Sequence, residues 1–342
     1  MTEHSKIPMP PAEADARGES LIERAAGHFD LNSYIARPKP LPPEAVDKAL
    51  VRRRTSSQPA PRPEPEALGA VGTEGPAASV PEASQPAAAP APVRTEFSGE
   101  RLPVDREHLR EQGLIVPEGA VTTLLEEFRI VKRQLLVQAA DLRRQNAGPM
   151  AQRILVSSPH PGEGKTYCAL NLALSIAAEK ESEVLLVDAD FAKPSILSAL
   201  GLPGGPGLMD ALMDESIDVA ECVLGTDVPG LWVLPAGDTS NNDSEYLASS
   251  RTARVLDRLT EGAPNRMVIF DSPPALAASP AAELAKYVGQ AVVIVRADMT
   301  GQGALEDAIS LLGACPNVQL LLNAAQFSPS GRRFGSYYGY KG

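Results

Sequence analysis

The sequence predicts an α/β fold, a doubly wound and mostly parallel sheet, on three observations. Beyond Pro149, short aliphatic and β-branched runs alternate with longer segments of helical period, as a parallel sheet with crossover helices reads. The first of those runs leads directly into a glycine-containing loop that opens a helix. The third is compositional: the first third of the 342 residues supplies little to bury, so the fold concentrates in one domain.

About half of the 32 prolines precede Glu100, set among Ala, Glu, Ser and Gln. Such a segment cannot offset its ordering entropy, so residues 1–112 read as a disordered proline- and alanine-rich tail. A short helix is expected within it near 20–30, where Leu21, Ile22, Ala25 and Phe29 share a face behind Ser20 as N-cap. Residues 113–330 then form the folded domain, and residues 331–342 a flexible C-terminal segment. Within the domain, Leu124, Phe128, Val131 and Leu135 recur at spacings of three and four and predict a packed amphipathic helix over 121–141. Strands are expected at 154–157, 184–188, 231–235, 267–271, 291–295 and 319–323, with helices between most of them. That alternation places a ligand site at the carboxyl ends of the strands.

Charge and cysteine usage narrow the function. A formal net charge of −11 argues against a general nucleic-acid binder, because phosphate backbones reward clustered cations. The basic triplet at 52–54 reads as a solvated charge run. Cys168, Cys222 and Cys315 stand far apart without metal-ligand spacing and are expected as buried reduced thiols. No apolar run approaches the roughly 18 to 20 residues that span a bilayer, which predicts a cytoplasmic chain.

The chemistry is concentrated in residues 154–166, ILVSSPHPGEGKT, an apolar strand running into a loop that ends Gly-Lys-Thr and starts a helix. Gly162 and Gly164 allow the backbone close to oxygen atoms, and the amides of Glu163, Gly164, Lys165 and Thr166 can converge on phosphate. Lys165 would neutralise charge between the β- and γ-phosphates of ATP, and Thr166 would offer its hydroxyl to Mg2+. Pro159 stands where the usual pattern has glycine, and neither it nor Pro161 has an amide to donate. Two further strands end in acids. VLLVDADFAKP delivers Asp188 and Asp190, two apart and so on one face, where both could meet near a metal ion. MVIFDSPP delivers Asp271. Any one of these acids could be only a cap or turn former; together with Gly-Lys-Thr they point to a P-loop NTPase fold.

Taken together, SSPHPGEGKT, LLVDADFAKP and VIFDSPP resemble the Walker A, Walker A′ and Walker B motifs of the bacterial tyrosine kinases, deviant P-loop proteins. The ending GSYYGYKG, with Tyr337, Tyr338 and Tyr340, resembles the tyrosine cluster that these enzymes phosphorylate on a neighbouring subunit. Glu126, Arg129 and Lys132 follow the family's E-x-x-R-x-x-R pattern with lysine in the last place, and the resemblance implies that they contact the next subunit of a ring-like homo-oligomer. It further implies a catalytic set of Lys165, Asp188, Asp190 and Asp271, with Asp188 orienting or deprotonating the tyrosine. Magnesium would be held by Thr166, Asp190 and Asp271. ATP would lie against Gly162, Glu163, Gly164, Lys165, Thr166 and Tyr167, with Asn323 at the adenine. The implied role is tyrosine autophosphorylation controlling exopolysaccharide synthesis or export. The implied partners are a separate transmembrane chain-length regulator, which could recruit the kinase to the plasma membrane, and a protein tyrosine phosphatase. Ala192 departs from the family, which commonly has arginine there. Two other readings share the fold: a positioning or partitioning ATPase, against which His160 stands where that class has a signature lysine, and a nucleotide-binding scaffold without transfer.

Overall fold

In the computed structural model, residues 94–238 and 242–325 are described. The expected helix near 20–30, the basic triplet, and the C-terminal segment with Tyr337, Tyr338 and Tyr340 lie outside the described residues.

Among the described residues one eight-stranded sheet organises the domain, in the order β1 (Arg101–Leu102), β4 (Leu224–Thr226), β5 (Leu231–Leu234), β3 (Glu183–Asp188), β6 (Arg266–Asp271), β2 (Arg153–Ser157), β7 (Gln290–Arg296) and β8 (Val318–Asn323). Its centre is β2, β3 and β6, flanked by β5, β7 and β8. These six are parallel. β2 and β6 are buried at every position, so they read as unbroken apolar runs rather than as alternation. All six expected strands occur, with ends displaced by at most one residue. Two short strands were not expected: β1 (Arg101–Leu102), and β4 (Leu224–Thr226), which turns antiparallel to β5 and carries β1 beside it.

On one face pack α2 (Thr123–Arg144) and α3 (Lys165–Ala177). Thr122 caps α2 by accepting the Leu125 amide, and the helix buries Phe128, Lys132, Leu135 and Ala139. α1 (Arg106–Glu111) and α4 (Ile196–Leu200) complete that layer through Leu109, Ile196 and Leu200. The opposite face is covered by α5 (Leu208–Met213), α6 (Asp243–Leu247), α7 (Ser250–Arg258), α8 (Pro280–Leu284) and α9 (Gln302–Leu311). Cys168, Cys222 and Cys315 are free and buried, as expected. No helix among the described residues is long and apolar enough to cross a membrane.

The boundary placed at 112 is too late, because residues 94–112 are built into the domain. Thr95 donates its amide to Glu261 O at 2.9 Å, and the fully buried Arg266 guanidinium donates to Thr95 O at 3.0 Å. The same guanidinium stacks 3.8 Å from the centre of the Phe97 ring and pairs with Glu183 at 3.2 Å. Phe97, Val104 and Leu109 are buried. Their spacing has no period, which is why composition alone assigned them to the tail.

Candidate active site at the strand ends

Register brings three chain segments to one level. Val156 of β2 and Asp188 of β3 both pair with Asp271 of β6, so the loop after β2 and the two acids leave the sheet side by side. The loop after Ser157 enters α3 at Gly164, whose φ of 95° suits glycine; a Cβ there would collide with the Asn323 amide nitrogen. No side chain caps α3. The first amide of that helix to find an acceptor is Cys168, bonded to Gly164 O at 2.9 Å. Those of Lys165, Thr166 and Tyr167 ahead of it are the orphan donors of a helix start, aligned for an anion.

The loop is held from its outer side. Glu163, 4 % exposed, accepts the His160 amide at 2.8 Å and the Thr300 hydroxyl at 2.5 Å. Arg296 donates to Gly162 O at 2.8 Å, and Asn323 donates to Glu163 O at 2.9 Å. Asn323, which the resemblance places at the adenine, therefore holds loop backbone with its amide nitrogen. Sequence reasoning missed Arg296, the last residue of β7, and Thr300 in the turn after it, neither of them part of a motif, and credited Glu163 only with its amide. Their partners lie more than 130 residues away in the chain, so no local spacing announces them.

Inside the loop, Lys165 Nζ bonds Asp190 Oδ2 at 2.7 Å, and Thr166 donates its hydroxyl to Asp271 Oδ2 at 2.6 Å. Asp188 Oδ2 accepts the amides of Ser195 and Ile196 at 2.8 and 2.9 Å. Asp188 and Asp190, expected to meet near one metal ion, have different partners here, two backbone amides for Asp188 and the Lys165 ammonium for Asp190. β3 ends at Asp188, so the two-residue period stops there, and Asp190 instead opens a turn closed by the Lys193 amide at 3.0 Å. Among the described residues no three of His, Cys, Asp and Glu gather as a ready metal cluster. Even so, Asp271 Oδ1 and Asp188 Oδ1 are buried without a hydrogen-bond partner, an arrangement that costs free energy unless something else fills it. Burial raises Asp271 to about 7 against the pull of Lys165, and raises Asp188 to about 6 against its backbone hydrogen bonds.

Two assigned side chains sit elsewhere. Tyr167 donates its hydroxyl to Gly113 O at 2.8 Å, so only its amide serves the loop. Lys132 corrects the subunit-contact strip: it is 8 % exposed and bonds Ser175 O at 2.9 Å and Glu179 at 3.0 Å within this chain. It lies on the stripe of Phe128, Leu135 and Ala139, while Glu126 and Arg129 pair with each other nearer the surface. Ala192 and Lys193 are exposed. A cavity of about 640 Å³, lined by Val116, Leu125, Glu183 and Gly230 among others, opens at the other end of the strands, away from these acids.

A strand, a glycine loop with Gly-Lys-Thr, an uncapped helix start and a strand-end aspartate bonded to the threonine define a P-loop nucleotide-binding protein. No family model matches the chain. Tyrosine-protein kinase ptk of Acinetobacter johnsonii is 33% identical over 153 residues, 45% of this chain and 20% of that protein. A putative tyrosine-protein kinase EpsB of Ralstonia nicotianae is 33% identical over 190 residues, 54% and 24% respectively. Tyrosine-protein kinase YwqD of Bacillus subtilis is 28% identical over 219 residues, 64% of this chain and 86% of that one. Among solved structures, the VpsO kinase domain is 29% identical with a TM-score of 0.45, covering 56% of this chain and 95% of that one. Within the P-loop class, the chain is thus similar in sequence to proteins named as bacterial tyrosine-protein kinases. It spans only a fifth to a quarter of the length of the first two curated relatives.

Proposed function

We propose that this chain is an ATP-dependent protein tyrosine kinase that phosphorylates Tyr337, Tyr338 and Tyr340 of another copy of itself. The observation that carries the reading is the level meeting of the Lys165 loop, Asp188 and Asp271, in a chain whose relatives are named as tyrosine kinases. The orphan Oδ1 of Asp271, a hard carboxylate ligand, fits Mg2+, which would be held by Thr166 and Asp271, with Asp190 reaching its waters. Bound there, the ion would supply charge neutralisation between the β- and γ-phosphates.

The chain's own residues do the rest. The α3 amides and Lys165, whose ammonium has donors beyond the one given to Asp190, hold the phosphates and take up charge on the transferring group. Asp188 Oδ1 accepts the proton of the tyrosyl hydroxyl as its oxygen bonds to the γ-phosphorus and the bond to the β-phosphate oxygen breaks, leaving ADP. A carboxyl raised to about 6 is ionised yet basic enough for that task at neutral pH. By family likeness, Glu126 and Arg129 face the neighbour in a ring. The same likeness assigns a cytoplasmic location, a transmembrane chain-length regulator as activator, a phosphatase as antagonist, and exopolysaccharide export as the controlled process.

The test is incubation of the purified chain with magnesium and ATP followed by peptide mapping, beside a Lys165→Met control. Phosphate on the tyrosine cluster that vanishes in the control supports the kinase. Hydrolysis with an unmodified cluster, even with an activator fragment supplied, replaces it with the positioning-ATPase reading.

A further inference from the structure

Two carbonyls of the phosphate loop are pinned from the same side. Arg296, which ends β7, donates to Gly162 O at 2.8 Å, and Asn323, which ends β8, donates to Glu163 O at 2.9 Å. In the sheet, β7 and β8 lie on one side of β2, while β6 and β3, with Asp271 and Asp188, lie on the other. A trans peptide unit sets its N–H opposite its C=O, and the described residues contain no cis bond. Turning the Gly162 carbonyl to Arg296 therefore turns the Glu163 amide the other way, and turning the Glu163 carbonyl to Asn323 does the same for the Gly164 amide. Both amides face away from β7 and β8, the side on which Lys165 meets Asp190 and Thr166 meets Asp271. Neither has an acceptor among the described residues.

The sequence of the loop makes these two amides matter. Pro159 and Pro161 have no N–H, and the His160 amide is spent on Glu163 Oε2 at 2.8 Å. Residues 159–161 thus have no donor left, and an anion must be held by the amides of Gly162, Glu163, Gly164 and the start of α3. Gly162 and Gly164, at φ 80° and 95°, leave the peptide units between them free to rotate unless something holds them. The anchors are themselves fixed. Thr300 donates its amide to Arg296 O at 3.0 Å and accepts the Arg296 amide on its hydroxyl at 2.9 Å, so the turn that carries Arg296 is closed from both sides. The same hydroxyl donates to Glu163 Oε1. Asn323 Oδ1 accepts the Ala324 amide at 2.9 Å, which leaves the side-chain nitrogen for the loop.

We infer that Arg296 and Asn323 are positioning residues for the phosphate loop, each aiming one backbone amide, those of Glu163 and Gly164 respectively, at the phosphates of a nucleoside di- or triphosphate. The inference rests on the nucleotide site of the proposed function and not on transfer to tyrosine. It gives Asn323 a task that needs no adenine, and it gives Arg296 a task that needs no contact with the nucleotide. Both act through the orientation of a peptide unit, so each should govern its own amide and leave the other in place.

The experiment is amide NMR of the full-length chain, saturated with ADP or, separately, with tripolyphosphate, each with magnesium. In wild type the Glu163 and Gly164 amide protons should both move downfield with either probe, as donors to an anion. Arg296→Ala should abolish the Glu163 shift and keep that of Gly164; Asn323→Ala should do the reverse. The shift that each variant keeps shows that it is folded and its loop occupied. Each should also lose at least ~10-fold in affinity for tripolyphosphate, the worth of one charge-assisted hydrogen bond. Loss of both shifts in either variant, or of neither, overturns the one-to-one assignment. Absence of both shifts in wild type overturns the inference as a whole. An effect of Asn323→Ala seen with ADP and not with tripolyphosphate overturns the aiming role of Asn323 and returns it to the adenine. None of these readings depends on phosphoryl transfer, so a failed kinase assay leaves them standing.

Discussion

Replacing Asp271 by asparagine should make the domain more stable at alkaline pH while destroying its use of nucleotide. Asp271 is 0% exposed, its Oδ1 has no partner, and burial raises it from 3.8 to about 7. A carboxyl so displaced carries a penalty of about 4 kcal/mol in its ionised form. The amide keeps an acceptor for the Thr166 hydroxyl, but its nitrogen takes the orphan position, an unsatisfied donor worth about 1–3 kcal/mol against folding. The net gain at pH 8 is then about 1–3 kcal/mol. The sign reverses with acid. Because the folded value lies above the unfolded one, the native chain binds the extra proton between 3.8 and about 7, and wild-type stability falls as pH rises through that window. The variant lacks this slope, so the two curves should cross, with wild type ahead near pH 5. Urea unfolding of both proteins at pH 5 to 8.5, without nucleotide, reads the difference. A difference that does not change with pH would refute the claim that a buried carboxylate is destabilised here, and nucleotide binding retained by the variant would refute its place in the site.

Three other outcomes are expected. Gly164→Ala, at φ 95° and against Asn323, should weaken fluorescent ATP-analogue binding by at least ~10-fold, with a small change in thermal midpoint. Lys132→Met leaves Ser175 O without its donor and should lower stability by about 1–2 kcal/mol in urea, whereas Arg129→Ala should change it by less than about 0.5 kcal/mol. If Asp188 accepts the tyrosyl proton, phosphorylation measured with saturating ATP should rise with pH through about 6 and then level, and Asp188→Asn should remove the rise.

The strands were legible because parallel strands buried on both faces are continuous apolar runs, and runs such as VLLV and MVIF have no competing helical period. β1 and β4 were not, since two and three residues hold no pattern and their pairing is decided by neighbours. In the site, Lys165, Thr166 and Asp271 follow from a motif with fixed local geometry. The tie of Glu163 to Thr300 and of Arg296 to Gly162 joins distant segments and leaves no trace in either. For Lys132 the sequence holds a signal against the family pattern: it falls between Phe128 and Leu135 on the apolar stripe, which buries it.

The Arg266 anchor decides where the chain can be shortened. Its guanidinium is 2 % exposed and spends its donors on Thr95 O, Leu259 O and Glu183, with the Phe97 ring as its lid. A version beginning at 113, the start that the sequence sets for the folded domain, would remove the Phe97 lid and the Thr95 acceptor and leave this guanidinium with Leu259 O and Glu183 alone. The same cut would leave β4 as the bare end of the sheet and remove α1 from its layer. Expression of the nucleotide-binding domain alone therefore has a physical starting line at Arg94 or earlier, nineteen residues ahead of 113.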